Sequence, residues 1–205
     1  MKLIDLLARH ESRVAVVIWT ALAMGLLPIT SGAAGAVGLE AQQSGEQALQ
    51  PSRADIDDEA LRISVPPTWR RLKDGHTVMF APENGLGQVA GKAHVSYGIE
   101  LSVTPTTRRD SSAVFGDVVQ ALKSTNPALR SASTTRSVTL AGRFGLRGTF
   151  ANTSLVTGGA EFVVVAAARI EHNRALYMIG VAPHEQFGAF RPTLEAILVS
   201  IETAR

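Results

Sequence analysis

Apolar and polar residues alternate along several short stretches of the chain, which is the pattern of β-strands with one buried face. The clearest stretch is "VSYGIELSV", residues 95–103, in which the odd positions from Tyr97 onward are apolar and the even positions are polar or small. The stretch "EFVVVAAARI" differs, because it is apolar without interruption from Phe162 to Ala168. A strand of that kind is covered on both faces, so it predicts a layer of structure on each side of the sheet.

Two longer stretches have helical spacing. The first, "SSAVFGDVVQALKSTNP", predicts a helix that is capped by Ser111 or Ser112 and stopped by the Asn-Pro pair at its end. The second, "HEQFGAFRPTLEAILVSI", predicts a helix that begins near Ala189, because Pro192 is tolerated only in a first turn or at a kink.

The order of the elements indicates the fold class. Three strands, a helix, four strands and a final helix predict an α+β domain with a largely antiparallel sheet flanked by two main helices. We expect this domain to occupy residues 61–205, with its last core residue at Ile201. Residues 37–60 are rich in Gln, Ser, Gly and acidic residues, so we interpret them as a flexible linker.

The N-terminus has the pattern of an export signal. A basic start is followed by the uncharged run "VAVVIWTALAMGLLPI" and by small residues up to Ala36. This predicts a signal peptide over residues 1–36 and an exported protein, either periplasmic or secreted. The alternative is an uncleaved anchor in the inner membrane through residues 14–36, and membrane contact is then expected only through residues 1–36.

Charge and composition narrow the possible functions. The net charge is only +2 and the basic residues are scattered, so no nucleic-acid partner is expected. The chain has no cysteine, which excludes disulfides, thiolate metal sites and a cysteine nucleophile. Hydrophobic residues make up 45% of the chain, which is enough for a core without such crosslinks.

One glycine-rich stretch has the spacing of a dinucleotide-binding turn, G-x-G-x-x-A, at Gly85, Gly87 and Ala90. Such a site needs a helix to follow, because the helix N-terminus holds the pyrophosphate. Here a strand pattern follows, so we do not expect a nucleotide or any other cofactor. The glycines are instead predicted to serve a long, mobile hairpin loop, residues 82–92, that requires positive φ angles.

Few residues have the spacing of a reactive site. The zinc motif H-E-x-x-H is absent, since "HEQFG" has glycine at its fifth position, and no G-x-S-x-G occurs. A metal site from His76, His94 and Glu83 is conceivable. Glu100 lies on the polar face of a well-patterned strand, and Arg147 is its expected cross-strand partner. These patterns predict no catalytic residue and favour a non-enzymatic protein.

Four stretches resemble a known family: "RISVPPTWRRLKDGHTVMFAPENGLG", "GIELSV", "SVTLAGRFGLRGTFANTS" and "ALYMIGVAPHEQFGAFRPTLEAILVSI". Together they look like the C-terminal accessory domain of certain bacterial envelope zinc metalloproteases, and their order resembles the PsbP-like fold. The shared motifs are structural, and the protease half with its H-E-x-x-H is absent. The resemblance implies an α/β/α sandwich and an exported accessory domain of bacterial type.

Three functional hypotheses follow. The first is a non-catalytic envelope module that docks on a protein partner, such as an envelope protease or assembly complex, through the loop residues Glu83, Asn84, Gly85 and Gly87. The second is a periplasmic small-molecule or metal carrier that uses the polar sheet face around Glu100, Arg147 and His94. The third is a hydrolase without a recognisable motif.

Overall fold

The computed structural model describes residues 48–56, 59–171 and 173–204. The strands and helices follow the chain in this order: β1 Gln50–Ile56, β2 Glu59–Val65, β3 Arg70–Asp74, β4 Thr77–Ala81, β5 Leu86–Val89, β6 Lys92–Val95, β7 Gly98–Pro105, α1 Ser111–Thr125, β8 Arg130–Ser131, β9 Arg136–Leu140, β10 Arg143–Thr153, β11 Ala160–Ile170, β12 Arg174–Pro183, α2 Phe187–Val199 and β13 Glu202–Thr203.

The central sheet is antiparallel throughout and has eight strands. The strand order is β3-β4-β7-β12-β11-β10-β8. Strand β9 also pairs with β10, on the same edge as β8 but nearer the start of β10. With two main helices packed on it, the domain is of the predicted α+β class. Two smaller sheets accompany it, a three-stranded one in the order β1-β2-β13 and the hairpin β5-β6.

Each face of the central sheet has its own hydrophobic core. On one face α2 and the three-stranded sheet pack against the sheet, and on the other α1 and the β5-β6 hairpin do so. Strand β11 contributes to both cores, with Val164 and Ala166 in the first and Val163 and Val165 in the second. Its continuous apolar run is therefore explained as predicted. The α2 face is covered by helix and strands together.

The N-cap of helix α1 lies one position before the predicted cap. Asp110 is the N-cap, and its side chain accepts a hydrogen bond from the Ala113 N–H at 2.8 Å. Ser111 serves a different purpose, since its hydroxyl donates to the Phe144 carbonyl and accepts from the Arg169 N–H. The expected serine cap is wrong because this buried hydroxyl ties α1 to β10 and β11.

Helix α2 begins at Phe187, two residues before the expected start, and it contains Pro192. Proline has no N–H, so the carbonyl of Gly188 receives no intrahelical bond from it. Gly188 is exposed, and water can bind that carbonyl. The early start is therefore compatible with the proline.

The linker interpretation is wrong for residues 50–56. These form β1, which pairs along its whole length with β2 and buries Ala54 and Ile56 completely. Two apolar residues among polar ones were too weak a signal to predict a strand.

Residues 1–47 lie outside the described residues, so the signal peptide, the alternative anchor and most of the linker stay predictions. Within the described part of the chain, no helix has the length and apolar character needed to span a membrane.

Candidate functional site

A cavity of about 450 Å³ lies between the sheet and α1, on the face that carries the hairpin. Strands β4, β7, β12 and β11 form its floor, α1 forms its roof, and the hairpin and residues 154–156 close its sides. The side chains that line it are mainly apolar, among them Met79, Val114, Val118, Leu122, Val163 and Ile179.

The hairpin reaches this position because two glycines allow close packing. A Cβ on Gly85 would lie 2.2 Å from the Tyr97 carbonyl oxygen, and one on Gly87 would lie 2.1 Å from Val156 Cγ1. Neither glycine has a positive φ, so the predicted conformational role is wrong. The left-handed positions are instead Ala90 and Gly91, which form the hairpin turn at φ of 51° and 77°.

Replacing Gly87 by Ala is expected to loosen the hairpin, because the added methyl group overlaps Val156 and must displace it or the strand. Hydrogen exchange followed by mass spectrometry should then show faster exchange of the β5 and β6 amides. Gly116→Ala is the matched control, since nothing lies within 4 Å of its added methyl group on α1. Native-like protection of the hairpin in Gly87→Ala would contradict this packing role.

Glu100 is the charged group at one end of the cavity. It is in register with Met79 on β4 and Ile179 on β12, so apolar side chains flank it on both sides. It makes no hydrogen bond or ion pair with the described residues. Burial, and after it the charge of Asp74, raise the pKa of the Glu100 carboxyl from 4.5 to about 7. The group is therefore partly protonated at neutral pH.

Further polar groups surround this end. Thr77 and Tyr177 lie in register on either side of Ser102, and the Thr77 and Ser102 hydroxyl oxygens are 2.5 Å apart. Burial raises the pKa of the Tyr177 hydroxyl, which is therefore protonated and able to donate. Burial, and after it the charge of Lys92, lower the pKa of His94 on the cavity wall, while Asp74 opposes them.

The other end of the cavity holds a pair of polar side chains. Asn152 on β10 donates from Nδ2 to Glu161 Oε1 on β11 at 2.8 Å. Burial raises the pKa of Glu161, while hydrogen bonds with Asn152 and Ser154 oppose that shift. The Asn152 Oδ1 atom is fully buried and accepts no hydrogen bond. The place of Glu161 next to the apolar run of β11 is the sequence signal that this residue is buried.

The predicted site residues do not form one site. His94 and Glu100 line the cavity, and Gly85 and Gly87 position the hairpin that closes it. Glu83 lies outside, paired with Arg70 at 2.7 Å, and Asn84 is exposed in the preceding turn.

The predicted pairing of Glu100 with Arg147 is wrong. Arg147 is on β10, which is three strands away from β7, and it faces α2, where its Nη2 donates to Glu195 Oε1 at 2.9 Å. The two residues therefore belong to opposite faces of the sheet. Within the described ranges, no group of three or more His, Asp or Glu side chains has the arrangement of a metal site.

The fold is similar to the folds of several solved structures. The solution structure of cyanobacterial PsbP (CyanoP) from Synechocystis sp. PCC 6803 aligns over 84% of this chain and 98% of its own, with a TM-score of 0.51 and 10% identity. The fold is PsbP-like. The crystal structure of LpqN, involved in cell envelope biogenesis of Mycobacterium tuberculosis, aligns over 77% of this chain and 92% of its own. The TM-score is 0.50 and the identity is 13%. No protein-family model and no curated protein matches the sequence.

Proposed function

We propose that this protein is a non-catalytic binding module that holds a small, largely apolar molecule in the cavity beneath α1. The observation that carries the proposal is a cavity of about 450 Å³ with an apolar wall and a few polar groups at its ends. Ligand pockets commonly have volumes of about 300–1,000 Å³ and this kind of lining. The apolar wall favours binding by removing ligand surface from water, and the polar ends orient the ligand.

The cell envelope is the proposed location. The pattern of residues 1–36 supports export, and LpqN, whose structure has a similar fold, is described as involved in cell envelope biogenesis. The resemblance of the sequence to the accessory domain of envelope metalloproteases agrees with that location, but no family model or curated protein supports that resemblance. In this proposal the chain is a carrier or sensor of a small molecule.

Docking on a protein partner is a second candidate. It is favoured by the rim of the cavity, where Leu155 is 53% exposed and the hairpin residues Gln88 and Ala90 are also exposed. A partner that covered this rim would close the cavity, so the two functions are compatible. Recovery of a specific protein crosslinked to the hairpin would favour this candidate.

The test of the cavity is to fill it. We expect purified protein to bind the neutral, polarity-sensitive dye N-phenyl-1-naphthylamine with a rise in fluorescence. Ala121→Phe adds an aromatic ring on α1 where the helix faces the cavity, and it should weaken dye binding about tenfold or more. Gln120→Phe places the same ring on the exposed side of the same helix and should bind the dye like the native chain.

Circular dichroism and the melting temperature show whether both variants keep the fold. Absence of dye binding to the native chain, or equal binding by a folded Ala121→Phe variant, would overturn the proposed function.

A further inference from the structure

We infer that the ligand is an amphipathic amine, a protonated nitrogen on an apolar body, and that Glu100 is its counter-charge. The inference rests on the proposed function, since it names the class of molecule that the cavity takes. Two features of the cavity carry it: its charge balance, and the place of Glu100 on its wall without a hydrogen bond or ion pair within the described residues.

The charges around the cavity favour a cation. Four carboxylates line it, and one of them, Asp117, is held by Arg108 at 2.6 Å. The basic groups on the wall are Lys92, which is exposed on the hairpin, and His94, whose pKa burial lowers. Among the described residues, no arginine lines the cavity. An anionic ligand would meet carboxylates with little positive charge to balance it, whereas a cation would meet complementary charge.

Glu100 has no partner of its own in the described part of the chain. The Glu100 side chain is partly buried against apolar neighbours, which disfavours its ionised form, and no hydrogen bond or counter-charge offsets this, so the carboxyl retains its proton up to near neutral pH. An ammonium group supplies both the charge and the donors that are missing. Because Thr77 and Tyr177 add hydroxyl oxygens to the same end, the remaining N–H groups of a primary ammonium also find acceptors.

The experiment compares three probes that share one alkyl chain: decylamine, decanol and decanoate. Each is titrated against bound N-phenyl-1-naphthylamine at pH 7.5. We expect decylamine to displace the dye at about tenfold lower concentration than decanol, and decanoate to be the weakest. Glu100→Gln should remove the preference for the amine, so that decylamine and decanol displace the dye at similar concentrations. Glu83→Gln, an acidic residue outside the cavity, is the matched control and should keep the preference.

The dependence on pH gives a second, independent readout. Glu100 faces Asp74 and Tyr177, and His94 and Lys92 are the other titratable groups on the adjoining wall. Decylamine stays protonated between pH 6 and pH 8, while a carboxyl with a pKa near 7 goes from about one tenth to about nine tenths ionised. The affinity of the native chain for decylamine should therefore rise about tenfold from pH 6 to pH 8, and the affinity of Glu100→Gln should stay nearly constant.

The outcomes separate this inference from the proposed function. If decanol and the dye bind but decylamine has no advantage, or if Glu100→Gln keeps that advantage, the amine inference is overturned and the cavity remains a binding site. If none of the probes binds, the proposed function fails first. Tighter binding of decanoate than of decylamine would reverse the assigned charge preference.

Discussion

Glu100→Gln is expected to stabilise the protein by up to about 3 kcal/mol at pH 8 and to have little effect near pH 4. The reason is that burial raises the pKa of this carboxyl from 4.5 to about 7. The native chain must therefore ionise a carboxyl inside an apolar wall when the pH is high, and the neutral amide of Gln avoids that cost. Urea unfolding of both chains at several pH values measures the difference directly.

The sign of the change in stability with pH follows from proton binding to the Glu100 carboxyl. Between pH 4.5 and about 7 the folded chain binds the Glu100 proton more tightly than the unfolded chain does. Stability contributed by this group therefore falls as the pH rises through that window and is constant above it. Subtracting the Glu100→Gln curve from the native curve removes the contributions of the other titrating groups, including Glu161. A pH-independent difference would contradict the buried, unpartnered carboxyl.

Glu195→Gln is a control with the opposite sign. Hydrogen bonding from Arg147 lowers the pKa of Glu195 on α2, and Arg191 adds a further bond. A carboxylate with a lowered pKa contributes stability above its unfolded pKa, and that contribution is lost as the pH falls through the lowered value. Glu195→Gln should thus destabilise the protein at neutral pH and lose this effect in acid. The two glutamates together test the assignment of faces.

Phe190→Ala is expected to lower the free energy of unfolding by about 3–5 kcal/mol. Phe190 on α2 is 1% exposed, and its ring centroid lies 4.8 Å from that of Tyr97 and 5.9 Å from that of Trp69. Removing the ring leaves a cavity between α2 and the sheet and breaks both aromatic contacts. Chemical denaturation measures the loss.

The chain offers a matched control in Phe144, which is 65% exposed on β10. The same change there, Phe144→Ala, should alter stability by no more than about 0.5 kcal/mol. Equal effects of the two substitutions would contradict the placement of α2 on the sheet.

Local patterns were sufficient for most of the elements. The alternation in residues 95–103 correctly indicated β7, and the continuous apolar run indicated β11 with cover on both faces. These predictions succeed because apolar residues repeat every two positions in a strand and every 3.6 in a helix when one face of that element is buried. Strand β1 was missed, since its buried residues Ala54 and Ile56 are recognisable only through their pairing with β2.

The choice of Glu100 as a residue of interest also came from local pattern, and its wrong partner shows where such reasoning ends. A cross-strand partner depends on strand order, and β12 and β11 lie between β7 and β10. At about 4.8 Å per step, three steps put the strands of Glu100 and Arg147 roughly 14 Å apart. They also face opposite layers, so Arg147 pairs with Glu195.

The sequence alone thus determined the class of the domain, the approximate position of both helices and the strands with a clear apolar pattern, because burial of such an element leaves a period in its own residues. Only the tertiary structure decided what those elements enclose. The cavity exists because Gly85 and Gly87 let a hairpin lie over the sheet beside α1, and three strands bring Glu100, Asn152 and Glu161 to its two ends. Contacts between residues distant in the chain leave no period in the sequence.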